Sequence, residues 1–451
     1  MSEHGIEGAV LWRGDDGYEE ARLAAVWNER KPDRHPDVIV RATSADDVAA
    51  AVRLAAARGL KVKARGGGHS WTASSVRDGM LIDCSALDSI SFQPATGTAW
   101  VGPGVRGRDL NNVLEQHGLF FPSGHCPSVG IGGFLLQGGW GWNSRAVGPA
   151  CMSVEAIDVV TADGELIRAD AELNADWLWA ARGAGSGYFG IVTAFEVRCH
   201  PRPTAIYSRT DVYSLDDADE LLRWAMEFEP TLPAEFEFAI MGTTPTLPDG
   251  RTVHDGTALM VMCNVLMHDD DEALTAIRRL DECPLRDRAL MIGEITPSDF
   301  TALYDGPDSV EPEGVRWAVD NVWTDAGADE VVPLATAILR DMRTPESHLF
   351  WYTWRPQPLE DAAISVQARL YLAAFAGWHD PARDEELTRW PVEHMDRLQH
   401  ISEGIQLADE NLLARPDARY MTEENAARLE ELRRRHDPEG RFHGFLVPEP
   451  A

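Results

Sequence analysis

Lysine is nearly missing from this sequence: Lys31, Lys61 and Lys63 are the only three among 41 basic residues, and 73 acidic side chains bring the net charge to −32. Such a chain repels phosphate backbones and anionic bilayers, so nucleic-acid binding and polybasic membrane anchoring are excluded as functions. Lysine scarcity with excess acid fits a high-GC genome or a salt-loving source, the first more readily, and neither changes the chemistry. No stretch approaches the roughly 18 uncharged apolar residues of a membrane span. The start, MSEHGIEGAV, has no basic region ahead of an apolar run. A cytoplasmic protein is therefore expected. The six cysteines (Cys84, Cys126, Cys151, Cys199, Cys263, Cys283) show no CxxC spacing, so neither a disulfide framework nor a metal site is expected, and most of these thiols should be core residues. Repeats and low-complexity segments are lacking too.

What is present is enough chain for a two-part enzyme, 451 residues with 44% apolar composition. Val38–Arg41 reads as a strand, Ser44 with Asp47 as a helix start, and Val48–Ala57 as a helix closed by Gly59 before a strand at Leu60–Ala64. Met80–Ser85 and Thr98–Gly104 are strand-like, Asp109–His117 helical, and Val154–Leu166 a hairpin turning at Ala162–Gly164. Pro201 and Pro203 mark a boundary. Beyond them, strands are predicted at Ile206–Tyr213, Glu235–Met241, Thr257–Met267, Trp317–Thr324, His348–Trp354 and Ser365–Phe375, with helices at Leu215–Phe228, Asp271–Asp281 and Asp329–Met342. This predicts an α+β layout: residues 1–202 as one domain, 203–412 as a largely antiparallel sheet covered by helices, and 413–451 as a segment returning to the first half through helix Thr422–His436.

Three glycine-rich loops carry the chemistry. Arg65-Gly66-Gly67-Gly68-His69-Ser70-Trp71 follows a strand directly, and consecutive glycines let amide groups close on an anion. His69 is then held against whatever that loop cradles; the plain alternative is a surface histidine. The second loop runs Cys126-Pro127-Ser128-Val129-Gly130-Ile131-Gly132-Gly133 and on through Gly138-Gly139-Trp140-Gly141, exposing a lone cysteine to ligand. The third, Arg182–Thr193, imitates the dinucleotide fingerprint but has a helix before it and a strand after it, the wrong order for a nicotinamide site. A structural role would not keep so many glycines in place, which favours a cofactor cradle.

ARGGGHSW, GHCPSVGIGGFLLQGGWGW, WLWAARGAGSGYFGIVT and HDPEGRFHGFL together resemble the berberine-bridge-enzyme-like branch of the vanillyl-alcohol-oxidase, or PCMH-type, flavoproteins. The overall layout is similar to the 6-hydroxy-D-nicotine oxidase type. The resemblance implies a PCMH-type FAD-binding domain of two α/β subdomains. It also implies bicovalent FAD, with His69 on the 8α-methyl carbon and Cys126 on C6. Arg65, Gly66, Gly67, Gly68, Ser70, Val129, Gly130, Gly132, Gly133, Gly138, Gly139 and Gly141 would cradle the cofactor, Ile191 and Val192 its adenine side, and Asp409 and Asn411 would approach it from the C-terminal part. Two departures stand out: Phe134 replaces a frequent histidine, and Leu407 replaces the tyrosine that much of the family uses as base.

An alternative base is sought on the sheet strands. In HLFWYTWR, alternation puts Phe350, Tyr352 and Trp354 on one face and Trp351 and Thr353 on the other. Tyr352, Arg369, Tyr371 and Asn321 are therefore the candidates to face a cavity, although Tyr352 also reads as a half-buried strand aromatic. Hydride transfer to flavin N5 from a cyclic alcohol, amine or sugar-type substrate, with O2 reduced to hydrogen peroxide, is the expected reaction. A dehydrogenase with another acceptor and a catalytically weakened flavin carrier are the alternatives. By resemblance, Val129 guards the opening through which O2 reaches the ring, unless it merely packs the loop. The expected partners are a small-molecule substrate and O2, in a monomer or homodimer.

Overall fold

The hydroxyl of Ser44 accepts from the Asp47 amide at 3.1 Å and starts helix Ala45–Arg58, which Gly59 ends at φ +67°. The apolar stripe of that helix (Val48, Val52, Ala55) packs on strands Val38–Arg41 and Val62–Arg65. The computed structural model describes residues 4–244 and 256–448. Its first sheet orders Ala9–Trp12, Val38–Arg41, Met80–Asp83 and Val62–Arg65, the last three parallel. A second, antiparallel sheet orders Ile90–Gln93, Thr98–Val101, Ile191–Arg198, Val154–Val160 and Leu166–Asp170, the last two being the predicted hairpin.

The largest sheet is seven-stranded and antiparallel, in the order Thr296–Pro297, Ala205–Ser214, Ala258–Met267, Phe236–Thr243, His348–Thr353, Leu370–Trp378, Arg316–Thr324. Helices Ala218–Phe228, Asp270–Ile277, Ala328–Arg340 and Asp384–Leu398 bury one face of it around Leu221, Val261, Trp351 and Leu372. The other face is aromatic. Trp317, Trp323, Tyr352, Trp354, Tyr371 and Phe375 lie there, against Trp27, Trp71 and Trp140 from the first half. The α+β layering expected from the sequence is therefore what the chain adopts.

Several elements differ from expectation, three of them in the second half. The strand predicted from Ser365 begins only at Leu370: the Arg369 amide donates to Asp325 Oδ1 at 2.8 Å, and Ser365 Oγ accepts from the Thr422 amide at 2.9 Å. Helix Asp384–Leu398 escapes the sequence reading because Pro391 interrupts its pattern, and helix Phe300–Val310 carries a proline and a glycine of its own. Past helix Glu423–His436 the chain runs along the first sheet. Phe442 bridges Val62, and Lys63 Nζ donates to the carbonyls of Ser186, His443 and Gly444 at 2.7, 3.0 and 3.3 Å.

Candidate active site

The first two glycine loops interlock main chain to main chain. A methyl group on Gly67 would come within 2.5 Å of the Gly130 nitrogen, and one on Gly130 within 2.6 Å of the Gly67 nitrogen. Gly66 and Gly132 press on Pro103, Gly68 on the Ala25 carbonyl, Gly138 on Ile364, Gly139 on Ala150 and Gly141 on the Ser123 carbonyl. The sequence argument that these glycines have no structural task is therefore wrong for most of them: they let the protein pack on itself. Gly133 is different. It has no positive φ, and nothing lies within 4 Å of a Cβ built there.

The interlock brings the His69 and Cys126 loops together. The His69 imidazole is hydrogen-bonded to the Ser128 main chain and stacks on Trp27, with ring centroids 4.8 Å apart. Burial, then the Arg65 and Arg106 guanidiniums, pushes its pKa down to about 4. At neutral pH it is a neutral ring, with one N–H on the Ser128 carbonyl and a lone pair on the other nitrogen. Arg65 itself is spent on Asp83 and the Gly67 carbonyl, at 2.8 and 3.2 Å. Ser70 accepts from the Ser74 amide at 3.0 Å and so folds the loop back after His69. Cys126 Sγ donates to Glu311 Oε2 at 3.5 Å, a partner the sequence did not suggest. Val129 closes the turn after Cys126, its amide 3.3 Å from the Cys126 carbonyl.

Across the interface, two residues beyond the Leu407 that replaces the family tyrosine, lies the carboxylate of Asp409. Asp409 accepts from Tyr371 Oη and from Trp71 Nε1, the latter at 2.7 Å. Burial raises its pKa to about 6 against the pull of those two donors. Asn321 sets it there: its side chain donates to the Gln406 and Asp409 carbonyls at 3.2 and 2.8 Å and accepts from the Gln406 amide at 2.7 Å. With every polar atom of its amide engaged, Asn321 fixes the segment 406–409 rather than offering a group to a ligand. Leu407 packs into the core of the first half.

Tyr352 lies on the same aromatic face, stacked on Phe350 at 5.7 Å and edge-on to His125 at 6.1 Å. Its hydroxyl is buried and has no hydrogen-bond partner among the described residues. Behind it, burial raises Glu237 to about 8 while its carboxyl accepts from the Asn143 amide at 2.6 Å. Arg369 does not join this group. It is exposed and bonds Asp325 by its backbone amide and its side chain. Ile191 and Val192 bury their side chains in two neighbouring cores, and Asn411 donates to the Val319 carbonyl at 3.4 Å.

Flavin chemistry fits these residues. The open space at Gly133, the orphaned Tyr352 hydroxyl and a neutral imidazole with a lone pair each lack the partner that FAD with substrate would supply. A cleft of about 280 Å³ adjoins the loops between Arg65, Gly66, Gly67, Gly104, Arg106 and Ser128. Among the described residues no cluster of His, Cys, Asp and Glu could hold a metal ion, and no helix is long and apolar enough to cross a membrane.

Comparison with known proteins points the same way. Residues 36–170 match the family described as FAD binding domain. The FAD-linked oxidoreductase ptmO of Penicillium ochrochloron is 32% identical over 98% of this chain and 97% of its own. The (R)-6-hydroxynicotine oxidase of Paenarthrobacter nicotinovorans is 35% identical over 44% of this chain and 43% of its own. The fold is that of 6-hydroxy-D-nicotine oxidase from Arthrobacter nicotinovorans, with a TM-score of 0.85 at 22% identity over 98% of both chains. Berberine bridge enzyme superposes with a TM-score of 0.80 at 17% identity, covering 99% of this chain and 97% of that one. This chain thus belongs to the berberine-bridge-enzyme-like, PCMH-type family of FAD-linked oxidoreductases.

Proposed function

We propose that the protein is an oxidase holding FAD by two covalent bonds, from His69 to the 8α-methyl carbon and from Cys126 to C6. Its substrate is a cyclic amine, alcohol or sugar-type molecule, and O2 is the acceptor, giving hydrogen peroxide. The observation that carries this reading is the state of His69: half-buried, neutral, anchored through one nitrogen on Ser128, two residues from Cys126. A protonated histidine would have no lone pair to offer; this one does. Bound flavin supplies a hydride acceptor at N5 and a two-electron carrier to O2.

The chain's own residues do the rest. Asp409, with a pKa of about 6, is mostly ionised at neutral pH and takes the proton from a substrate O–H or N–H. Tyr371 and Trp71 aim it and stabilise the carboxylate through their donated hydrogen bonds. Tyr352 offers its unpaired O–H to a polar substrate atom. Phe350, Trp140 and Trp354 form apolar walls that exclude water and suit a ring.

Acid-precipitated protein should remain yellow, with a mass exceeding that of the polypeptide by one FAD. His69→Ala and Cys126→Ala should each retain flavin, and only the double variant should release it. Release from Cys126→Ala alone would overturn the assignment to His69. Mixing the reduced protein with oxygenated buffer tests the acceptor: reoxidation slower than turnover would make it a dehydrogenase.

A further inference from the structure

The Cys126 thiol is the near end of a three-residue line. Its sulfur donates to Glu311 Oε2 at 3.5 Å, and Glu311 Oε1 lies 3.6 Å from His348 Nε2. His348 is clamped: 1% exposed, stacked on Phe375 at 4.5 Å with 12° between the planes, and edge-on to Trp317. Its Nδ1 lies 3.3 Å from the Glu346 carbonyl. A carbonyl only accepts, so Nδ1 donates to it, and Nε2 is the nitrogen that faces Glu311. Glu311 thus lies between the thiol and a ring nitrogen, one carboxylate oxygen towards each.

We propose that Glu311, backed by His348, is the base that deprotonates Cys126 when the second flavin bond forms. The inference rests on the bicovalent reading given above. The thiolate, not the thiol, is the sulfur nucleophile. The Cys126 proton passes to Glu311 Oε2, while Oε1 of the same carboxyl lies against His348 Nε2. The sulfur bonds to the ring carbon at C6, and the hydrogen on that carbon leaves as a proton. The electron pair of the broken C–H bond goes to O2, which takes up two protons as hydrogen peroxide. In sum, one thiol, one ring C–H and one O2 give one C–S bond and one H2O2. Asp409 and Tyr371, which also feel the Glu311 charge, are hydrogen-bonded to each other.

The test is peptide mapping of the full-length protein after denaturation and alkylation with iodoacetamide. Wild type should yield a flavin bridging the His69 and Cys126 peptides, with no alkylated Cys126. Glu311→Gln should keep flavin on His69 while alkylated Cys126 becomes the major form of that peptide. Incubating that variant aerobically at pH 9, where a thiol ionises unaided, should restore the bridge, a rescue that a merely structural role would not show. Glu311→Asp and His348→Gln should bridge more slowly than wild type in a time course, and they carry the test if Glu311→Gln is insoluble. Full bridging in Glu311→Gln at neutral pH, or no rescue at pH 9, overturns the proposal. A wild type whose Cys126 is alkylated and bears no flavin overturns instead the bicovalent reading beneath it.

Discussion

Replacing Gly133 by alanine separates the two reasons a loop can be rich in glycine. At Gly67 the added carbon would sit 2.5 Å from a backbone nitrogen, so Gly67→Ala must displace the Gly130 loop, an overpacking that costs about 1–3 kcal/mol. Gly133 lies inside helix Ile131–Leu136 with no atom within 4 Å of the added carbon. There alanine is favoured over glycine by about 1 kcal/mol. In the flavin-free His69→Ala/Cys126→Ala background, urea unfolding should show Gly133→Ala to be more stable by about that amount. FAD titrated into the same protein should bind at least tenfold more weakly, about 1.4 kcal/mol, because the methyl group occupies space meant for the cofactor. The two effects have opposite sign, which no general damage to the loop would produce. Undiminished FAD affinity in Gly133→Ala would refute the assignment of that space to the flavin.

Asp409→Asn should slow anaerobic flavin reduction by about 10²–10⁴-fold and abolish the rise in rate that the wild type shows as pH climbs through about 6; an unchanged stopped-flow profile would remove Asp409 as base. Glu237 has a folded pKa raised from 4.5 to about 8, so its contribution to stability is complete below pH 4.5 and is lost as pH rises towards 8. Glu237→Gln should therefore melt above wild type at pH 8.5 and close to it near pH 4, and a difference independent of pH would contradict this account. Asn321→Ala leaves a buried amide and two carbonyls unpaired, which should cost about 3 kcal/mol in equilibrium unfolding and displace the Asp409 pH profile. Val129→Leu should slow reoxidation by O2 while leaving substrate reduction unchanged; parallel changes in both half-reactions would show that Val129 only packs the loop.

Where a signal is local, the sequence carries it. Ser44 and Gly59 bracket a helix by hydrogen bonding and backbone conformation alone, and both ends lie where they were expected. The alternation in HLFWYTWR is equally local: Phe350, Tyr352 and Trp354 face the aromatic layer while Trp351 joins the opposite core. The same rule fails one strand later. Arg369 was grouped with Tyr371 by alternation, but pairing starts at Leu370, so the rule does not reach Arg369. Nothing local could have joined Glu311 to Cys126, 185 residues apart, since only the order of strands and the interlocked loops bring them together. Asp409 was expected beside the cofactor. Its place between Tyr371 and Trp71 depends on Asn321, whose amide looks no different in sequence whether it faces a cavity or clamps a loop.

The stitch made by Lys63 also sets an order of events during synthesis. Its ammonium group closes on Ser186, His443 and Gly444, the more distant of these lying 380 and 381 residues further along the chain. At roughly 5–20 residues per second a ribosome needs on the order of tens of seconds to reach them. Until then the strand leading into the His69 loop lacks its neighbour Phe442, and the loop after Ser186 lacks Phe445, which covers Gly187. The cradle can therefore close only after this last segment has emerged, and capture of the flavin follows translation instead of accompanying it.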